Sequence, residues 1–83
     1  MAFNPGKILK LQVGPQNFQI EMDNSITSMF FLRWETPHSQ AYYSLILTAF
    51  AQAIPVTIEV NGPIKAQNEI AGVEGNRTGH LKT

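Results

Sequence analysis

The sequence predicts an α+β fold, a small five-stranded antiparallel sheet with one helix between the third and fourth strands. Two observations indicate this class. Apolar residues occupy alternate positions over short segments, as in strands with one buried face, and one longer segment between Pro37 and Pro55 has helical spacing instead. The 83 residues fit one domain, because half of them would fall near the roughly 40 at which a core needs a disulfide or metal. We expect a single domain over residues 1–83, with its core at about 6–75.

The first two strands are predicted to form a hairpin. Residues 7–13 carry apolar side chains at alternate positions, which is typical of a half-buried strand. Residues 14–17 read Gly-Pro-Gln-Asn and predict a turn, after which residues 17–22 alternate again. The apolar positions are Leu9, Leu11 and Val13 in the first strand and Phe18, Ile20 and Met22 in the second.

The third strand, Ser28 to Glu35, is predicted to be the centre of the sheet. It is aromatic-rich and apolar on both faces, which favours a strand covered on both sides. One covering layer could be another subunit. One face carries Met29, Phe31 and Arg33, and the other carries Phe30, Leu32 and Trp34.

Thr36 and Pro37 predict the start of the helix. A threonine side chain can cap the first free amides, and proline at the first helical position has no N–H to leave unpaired. The helix is expected to run to about Ala53, before Pro55. The apolar stripe expected to pack on the sheet is Tyr42, Leu45, Ile46, Ala49, Phe50 and Ala53.

The helical segment has no ionic side chain, since Asp, Glu, Lys and Arg are all absent between Pro37 and Pro55. Its second face could lie under a loop, form an exposed neutral surface or contact a helix of another copy. We favour the contact between copies, because small residues there let helices approach closely. The predicted oligomer-interface residues are Tyr43, Leu47, Gln40 and Ala51.

Two further strands follow the helix. Val56 to Val60 alternates cleanly, and the next residues, Asn-Gly-Pro, predict a turn. A weaker strand is expected from Glu69 to Gly75, where Gly72 indicates a bulge. Residues 76–83 are polar and aperiodic, which predicts a flexible tail.

Composition argues against several classes of partner. Six Lys and Arg balance six Asp and Glu, so no net charge attracts nucleic acid, which is not an expected partner. The most apolar stretch, residues 41–60, is interrupted by polar residues, so no membrane span is expected. Cysteine is absent and the start lacks a signal-peptide pattern, so cytoplasm is the default location, although this leaves secretion open.

Catalytic, metal and cofactor signatures are not found. The histidines His38 and His80 lack the spacing that gathers three or four metal ligands. Ser39 and Ser44 lie in no nucleophile elbow, and no glycine run forms a phosphate loop. Glu35 could orient His38, but a local surface pair explains that spacing as well. The chain is therefore expected not to be an enzyme and to bind no cofactor or metal.

Arg33 and Trp34 are the candidate ligand-binding residues. They belong to an aromatic cluster with Phe30 and Phe31 that could stack on bases or sugars, although the same aromatics could simply form the core. Arg33 differs from its neighbours because a charge in a central strand needs a partner or a path to water.

The order of elements resembles the oligonucleotide/oligosaccharide-binding (OB) barrel of B subunits from subtilase- and pertussis-type AB toxins. The similarity is closest over residues 41–52, Ala-Tyr-Tyr-Ser-Leu-Ile-Leu-Thr-Ala-Phe-Ala-Gln, and over Pro55 to Val60. This resemblance implies an OB-like barrel over about residues 6–75 and assembly into a ring, commonly a pentamer, with the helices at its centre. The chain departs from exported members in having no cysteine.

Two functions follow as expectations. The first is a non-catalytic, self-assembling binding module whose ligand is unknown, with a glycan as the class that the resemblance implies. The alternative is an intracellular structural or regulatory domain that binds another protein through the same apolar surface.

Overall fold

The computed structural model describes residues 2–75, and the predictions for the tail and for His80 lie outside that range. Within it, six strands and one helix follow one another along the chain. In order they are β1 (Ala2–Gly6), β2 (Ile8–Val13), β3 (Asn17–Met22), β4 (Ser25–Arg33), α1 (Ser39–Gln52), β5 (Val56–Val60) and β6 (Gln67–Gly75).

The strands form one mixed sheet in the order β1-β5-β6-β4-β3-β2. The α+β class with a single helix among the described residues is confirmed. The prediction of five strands, all antiparallel, is wrong in two details. An additional strand, Ala2–Gly6, pairs with β5, and β4 pairs with β6 in parallel. This strand was not predicted from the sequence, because Pro5 and Gly6 are of residue types that are depleted in strand interiors.

A tight bend joins β1 to β2, which are separated by Lys7 alone. Asp23 holds the bend, since its carboxylate accepts from the Lys7 N–H at 3.1 Å and its own N–H donates to the Lys7 carbonyl at 2.9 Å. A Cβ atom on Gly6 would come within 2.5 Å of that carboxylate, and Gly6 has a φ of 157°. Glycine is therefore required at the bend.

Buried polar groups fasten the β3–β4 turn to β1. The Asn4 amide donates to Asn24 at 3.0 Å and accepts from the Ser25 hydroxyl at 2.8 Å. Asn24 in turn donates to the Pro5 carbonyl. These bonds satisfy a buried asparagine that would otherwise destabilise the fold.

The inward face of β2 follows the predicted alternation at Leu11 and Val13 but not at Leu9. Ile8 is buried, whereas Leu9 and Val13 are exposed and Leu11 is half-buried. The pairing with β3 shifts between Ile8 and Lys10, and this bulge places Ile8 instead of Leu9 on the core side, opposite Met22. Beyond the bulge, Leu11 and Val13 pair with the buried Ile20 and Phe18.

The core lies between the inner face of the sheet and α1. It takes alternate residues from β3, β4 and β5, as the sequence pattern predicts for those strands. Its fully buried large side chains are Phe18, Phe30, Ile20, Met22, Leu32, Ile46, Ile58, Val56 and Val60.

The helix begins at Ser39, so the predicted start at Thr36 and Pro37 is wrong. The preceding residues form turns in which the Thr36 N–H donates to the Arg33 carbonyl at 3.0 Å. The Ser39 hydroxyl then donates to the Trp34 carbonyl at 2.7 Å. Because these hydrogen bonds fold the segment back on the end of β4, Thr36 does not reach a helix cap.

The buried stripe of α1 is narrower than predicted. Ile46 and Ala49 are buried and Tyr42 is half-buried, as expected. Leu45 and Phe50 are exposed, which corrects their assignment to the core. Only one side of the helix contacts the sheet, so spacing alone assigned too many apolar residues to that side.

The predicted bulge in the last strand is present, and Asn68 fixes the strand's start. The register with β5 shifts where Glu59 pairs with Gly72 and Val60 pairs with Ile70. The buried Asn68 amide donates to the Met29 carbonyl at 3.0 Å. The strand therefore begins at Gln67, two residues earlier than the predicted Glu69.

Candidate functional site

Two surfaces carry the residues that the sequence singles out. The first is the outward side of α1, which we call the helix face. Gln40, Leu47 and Ala51, three of the four predicted interface residues, are exposed there. The helix face comprises Gln40, Ser44, Leu47, Phe50 and Ala51.

The fourth predicted interface residue, Tyr43, packs against its own chain. Its ring lies 5.3 Å from the Phe18 ring and 5.2 Å from the Trp34 ring, measured between centroids. Phe18 and Trp34 are themselves 5.1 Å apart. Tilted contacts of this kind stabilise aromatic clusters. Tyr43 therefore packs α1 against the sheet, and it lies at the border of the helix face.

Trp34, one of the two predicted ligand residues, is half-buried in that cluster. Its indole N–H donates to the Gly14 carbonyl at 2.8 Å, and its backbone N–H donates to the Gln16 carbonyl at 3.0 Å. Both contacts attach the end of β4 to the β2–β3 turn. The indole N–H is thus already hydrogen-bonded within the chain.

The helix face leaves large apolar side chains in water. Leu47 is 43% exposed and Phe50 is 39% exposed, whereas Leu45, which is 37% exposed, lies on the other flank of the helix. No residue of α1 is ionic. A separate groove of about 530 Å³ lies on the flank of the helix that carries Leu45, where Leu45 and Ala49 meet Ile54 and Val56. Exposed apolar surface of this extent is typical of a site of association.

The second surface is the outer side of β3, β4 and β6, which we call the sheet face. It presents the side chains that alternate with the core residues of those strands. Gln19 pairs with Phe31, and Phe31 in turn pairs with Glu69. The sheet face comprises Asn17, Gln19, Met29, Phe31, Arg33, Gln67 and Glu69.

Arg33, the other predicted ligand residue, lies at one end of the sheet face. Its guanidinium donates to the Glu69 carboxylate at 3.3 Å, and the two side chains are 55% and 44% exposed. The structure thus gives this charge both a partner and access to water. An exposed ion pair of this kind adds little to stability.

The centre of the sheet face is a shallow depression of about 240 Å³. Phe31 and Met29, both half-buried, form its apolar part. Side-chain amides of Asn17, Gln19 and Gln67 surround them. The sequence signal for Phe31 was its position in the alternating third strand, whereas the amides are brought beside it only by the strand register.

The geometry offers few groups for chemistry. Among residues 2–75, no three His, Cys, Asp or Glu side chains lie close enough together to hold a metal ion. The His38 ring lies 6.3 Å from the Tyr42 ring, and the Ser39 hydroxyl donates to a backbone carbonyl. The helix face offers apolar contact, and the sheet face offers an aromatic surface with side-chain amides beside it.

None of the described residues forms a helix with the length and apolarity that crossing a membrane requires. A scan against protein-family models, a search of curated proteins and a search of solved structures each find no match to this chain.

Proposed function

We propose that this chain is a non-catalytic binding module that assembles with copies of itself through the helix face. The sheet face then binds the ligand, which we infer to be a glycan. The observation that carries this proposal is the helix face itself, where Leu47 and Phe50 are exposed on a helix without any charge.

Burial of the helix face provides a driving force for assembly. Fully burying a Leu or Phe side chain is worth about 1.5–3 kcal/mol. Leu47 and Phe50 are 43% and 39% exposed, so covering each contributes on the order of 1 kcal/mol per copy. This face has no ionic group whose hydration would be lost on burial, so no desolvation penalty for a charge offsets the free energy gained from apolar burial.

We further propose that the sheet is an OB-like barrel. Its support is that β1 and β2, separated by Lys7 alone, stand at opposite ends of the strand order. Counted as one bent strand, they give a five-stranded arrangement with the helix between the third and fourth strands. The parallel pairing of β4 with β6 is compatible with that arrangement.

Light scattering and native mass spectrometry test the assembly. We expect a defined oligomer at micromolar concentration, a ring of five copies if the toxin-like resemblance extends to assembly. Leu47→Glu buries an unpaired charge in the contact, so we expect it to shift the protein toward monomer. Gln16→Glu adds the same charge at an exposed position of the β2–β3 turn and is the matched control.

A monomer at micromolar concentration would contradict self-assembly. If the wild-type chain is monomeric but co-purifies from its source in a stoichiometric complex that Leu47→Glu disrupts, the alternative function as a domain that binds another protein is supported instead.

A further inference from the structure

We propose that the sheet face binds a neutral sugar, stacked on Phe31 and hydrogen-bonded by Gln19 and Gln67, and that it does not bind an acidic sugar. This inference rests on the proposed binding function and adds the residues that contact the ligand and the charge of that ligand.

The size and shape of the site suit a small ligand. The depression holds about 240 Å³, which is below the roughly 300–1,000 Å³ of pockets for drug-sized ligands. One sugar ring suits this volume. The Phe31 and Met29 side chains supply an apolar surface on which the C–H groups of such a ring can pack.

Three side-chain amides at this site have unused hydrogen-bonding capacity. The side-chain amides of Asn17, Gln19 and Gln67 make no hydrogen bond to any described residue. Each amide offers two donors and one acceptor oxygen. Sugar hydroxyls both donate and accept, so this ring of amides complements a polyhydroxylated ligand better than an apolar or a singly charged one.

The charged side chains on and near the sheet face indicate which charge the ligand carries. Arg33, the cation of the sheet face, is paired with Glu69 at 3.3 Å. On the neighbouring strands, Lys10 is the register partner of Glu21, which places a carboxylate near that cation although the two side chains form no ion pair. A carboxylated or sulfated sugar would have to compete with these carboxylates. Nucleic acid is disfavoured for the same reason, because its binding depends on cations that neutralise phosphates.

A glycan array carrying neutral hexose- and N-acetylhexosamine-terminated glycans beside sialylated and sulfated ones tests the proposal. We expect binding to neutral glycans. Calorimetry with the neutral glycan that binds most tightly should then show a three- to tenfold loss of affinity for Gln19→Ala and for Gln67→Ala, which is about the contribution of one hydrogen bond. Phe31→Ala should lower the affinity for that glycan about tenfold.

Gln16→Ala removes the same amide from the β2–β3 turn and should bind as the wild type does. Gln67 is exposed, so Gln67→Ala keeps the test decisive if Phe31→Ala fails to fold. Binding confined to sialylated or sulfated glycans, to single-stranded oligonucleotides or to peptides would overturn the proposal. So would neutral-glycan binding that Gln19→Ala and Gln67→Ala leave unchanged, or no glycan binding at all.

The mass of each variant is measured in parallel. An oligomer that fails these binding tests overturns the neutral-sugar site and leaves self-assembly standing. A monomer that passes them supports the site and contradicts the assembly.

Discussion

The sheet face and the helix face differ in how they come to be neutral. On the sheet face, the Arg33 cation is balanced by Glu69, and both side chains remain about half exposed. On the helix face there is no charge to balance, and Leu47 and Phe50 meet water directly. A surface of paired charges and amides keeps its hydration and suits a hydrated ligand. A surface without charges loses little on leaving water, so it suits a permanent contact.

The largest expected effect separates Tyr43 from Leu47, two residues one turn apart on α1. Tyr43→Ala removes a ring that packs on Phe18 and Trp34, so we expect the free energy of unfolding to fall by about 2–3 kcal/mol. Leu47→Ala should change it by no more than about 0.5 kcal/mol. Urea unfolding, at a concentration where light scattering shows monomer, measures both. Equal losses would mean that Leu47 also belongs to the core.

A smaller effect is expected at Trp34, which lies between the two surfaces. Trp34→Phe keeps an aromatic ring but leaves the Gly14 carbonyl without its indole donor, so we expect a loss of about 1 kcal/mol in unfolding free energy. Binding of a neutral glycan should be unchanged. Reduced glycan affinity at full stability would instead make Trp34 a ligand residue, as its sequence position predicts.

The smallest effect is expected from breaking the ion pair of the sheet face. Glu69→Gln should lower the free energy of unfolding by less than about 1 kcal/mol, because Arg33 and Glu69 are both exposed. Added salt screens an exposed pair, so the difference from the wild type should shrink as salt rises. Thermal unfolding at low and high salt measures this.

Glu35→Gln is the control, since Glu35 is an exposed carboxylate with no ion pair among the described residues. Glu69→Gln also leaves Arg33 without its partner, so we expect this variant to gain affinity for sialylated glycans on the array. An unchanged preference would argue that charge pairing does not set the specificity of the sheet face.

The sequence predicted the strands whose alternation is regular. Asn17–Met22 and Val56–Val60 were predicted with the bounds that the structure has, because a half-buried strand repeats its apolar side chain at every second residue. The same reasoning failed at Leu9, since the bulge in β2 depends on the partner strand. Val13 pairs with the buried Phe18 as alternation predicts but stays exposed at the end of the strand. The same reasoning also missed Ala2–Gly6, whose proline and glycine weaken the strand signal.

The candidate site was predictable only in part. Alternation placed Phe31 and Arg33 on one side of the third strand, and the lack of charge drew attention to Leu47 on the helix. Gln19 and Gln67 carry no signal of their own, because they are 48 residues apart in the chain and become neighbours of Phe31 only through strand register.

By itself, the sequence determined the α+β class, the absence of ionic groups on the helix and the alternation of β3, β4 and β5, since each depends on residues close together in the chain. The tertiary structure alone decided the parallel pairing of β4 with β6, the pairing of Arg33 with Glu69 and the packing of Tyr43 against Trp34. Local spacing fixes which way a side chain points along its own element. What that side chain meets depends on which distant strand the fold places beside it.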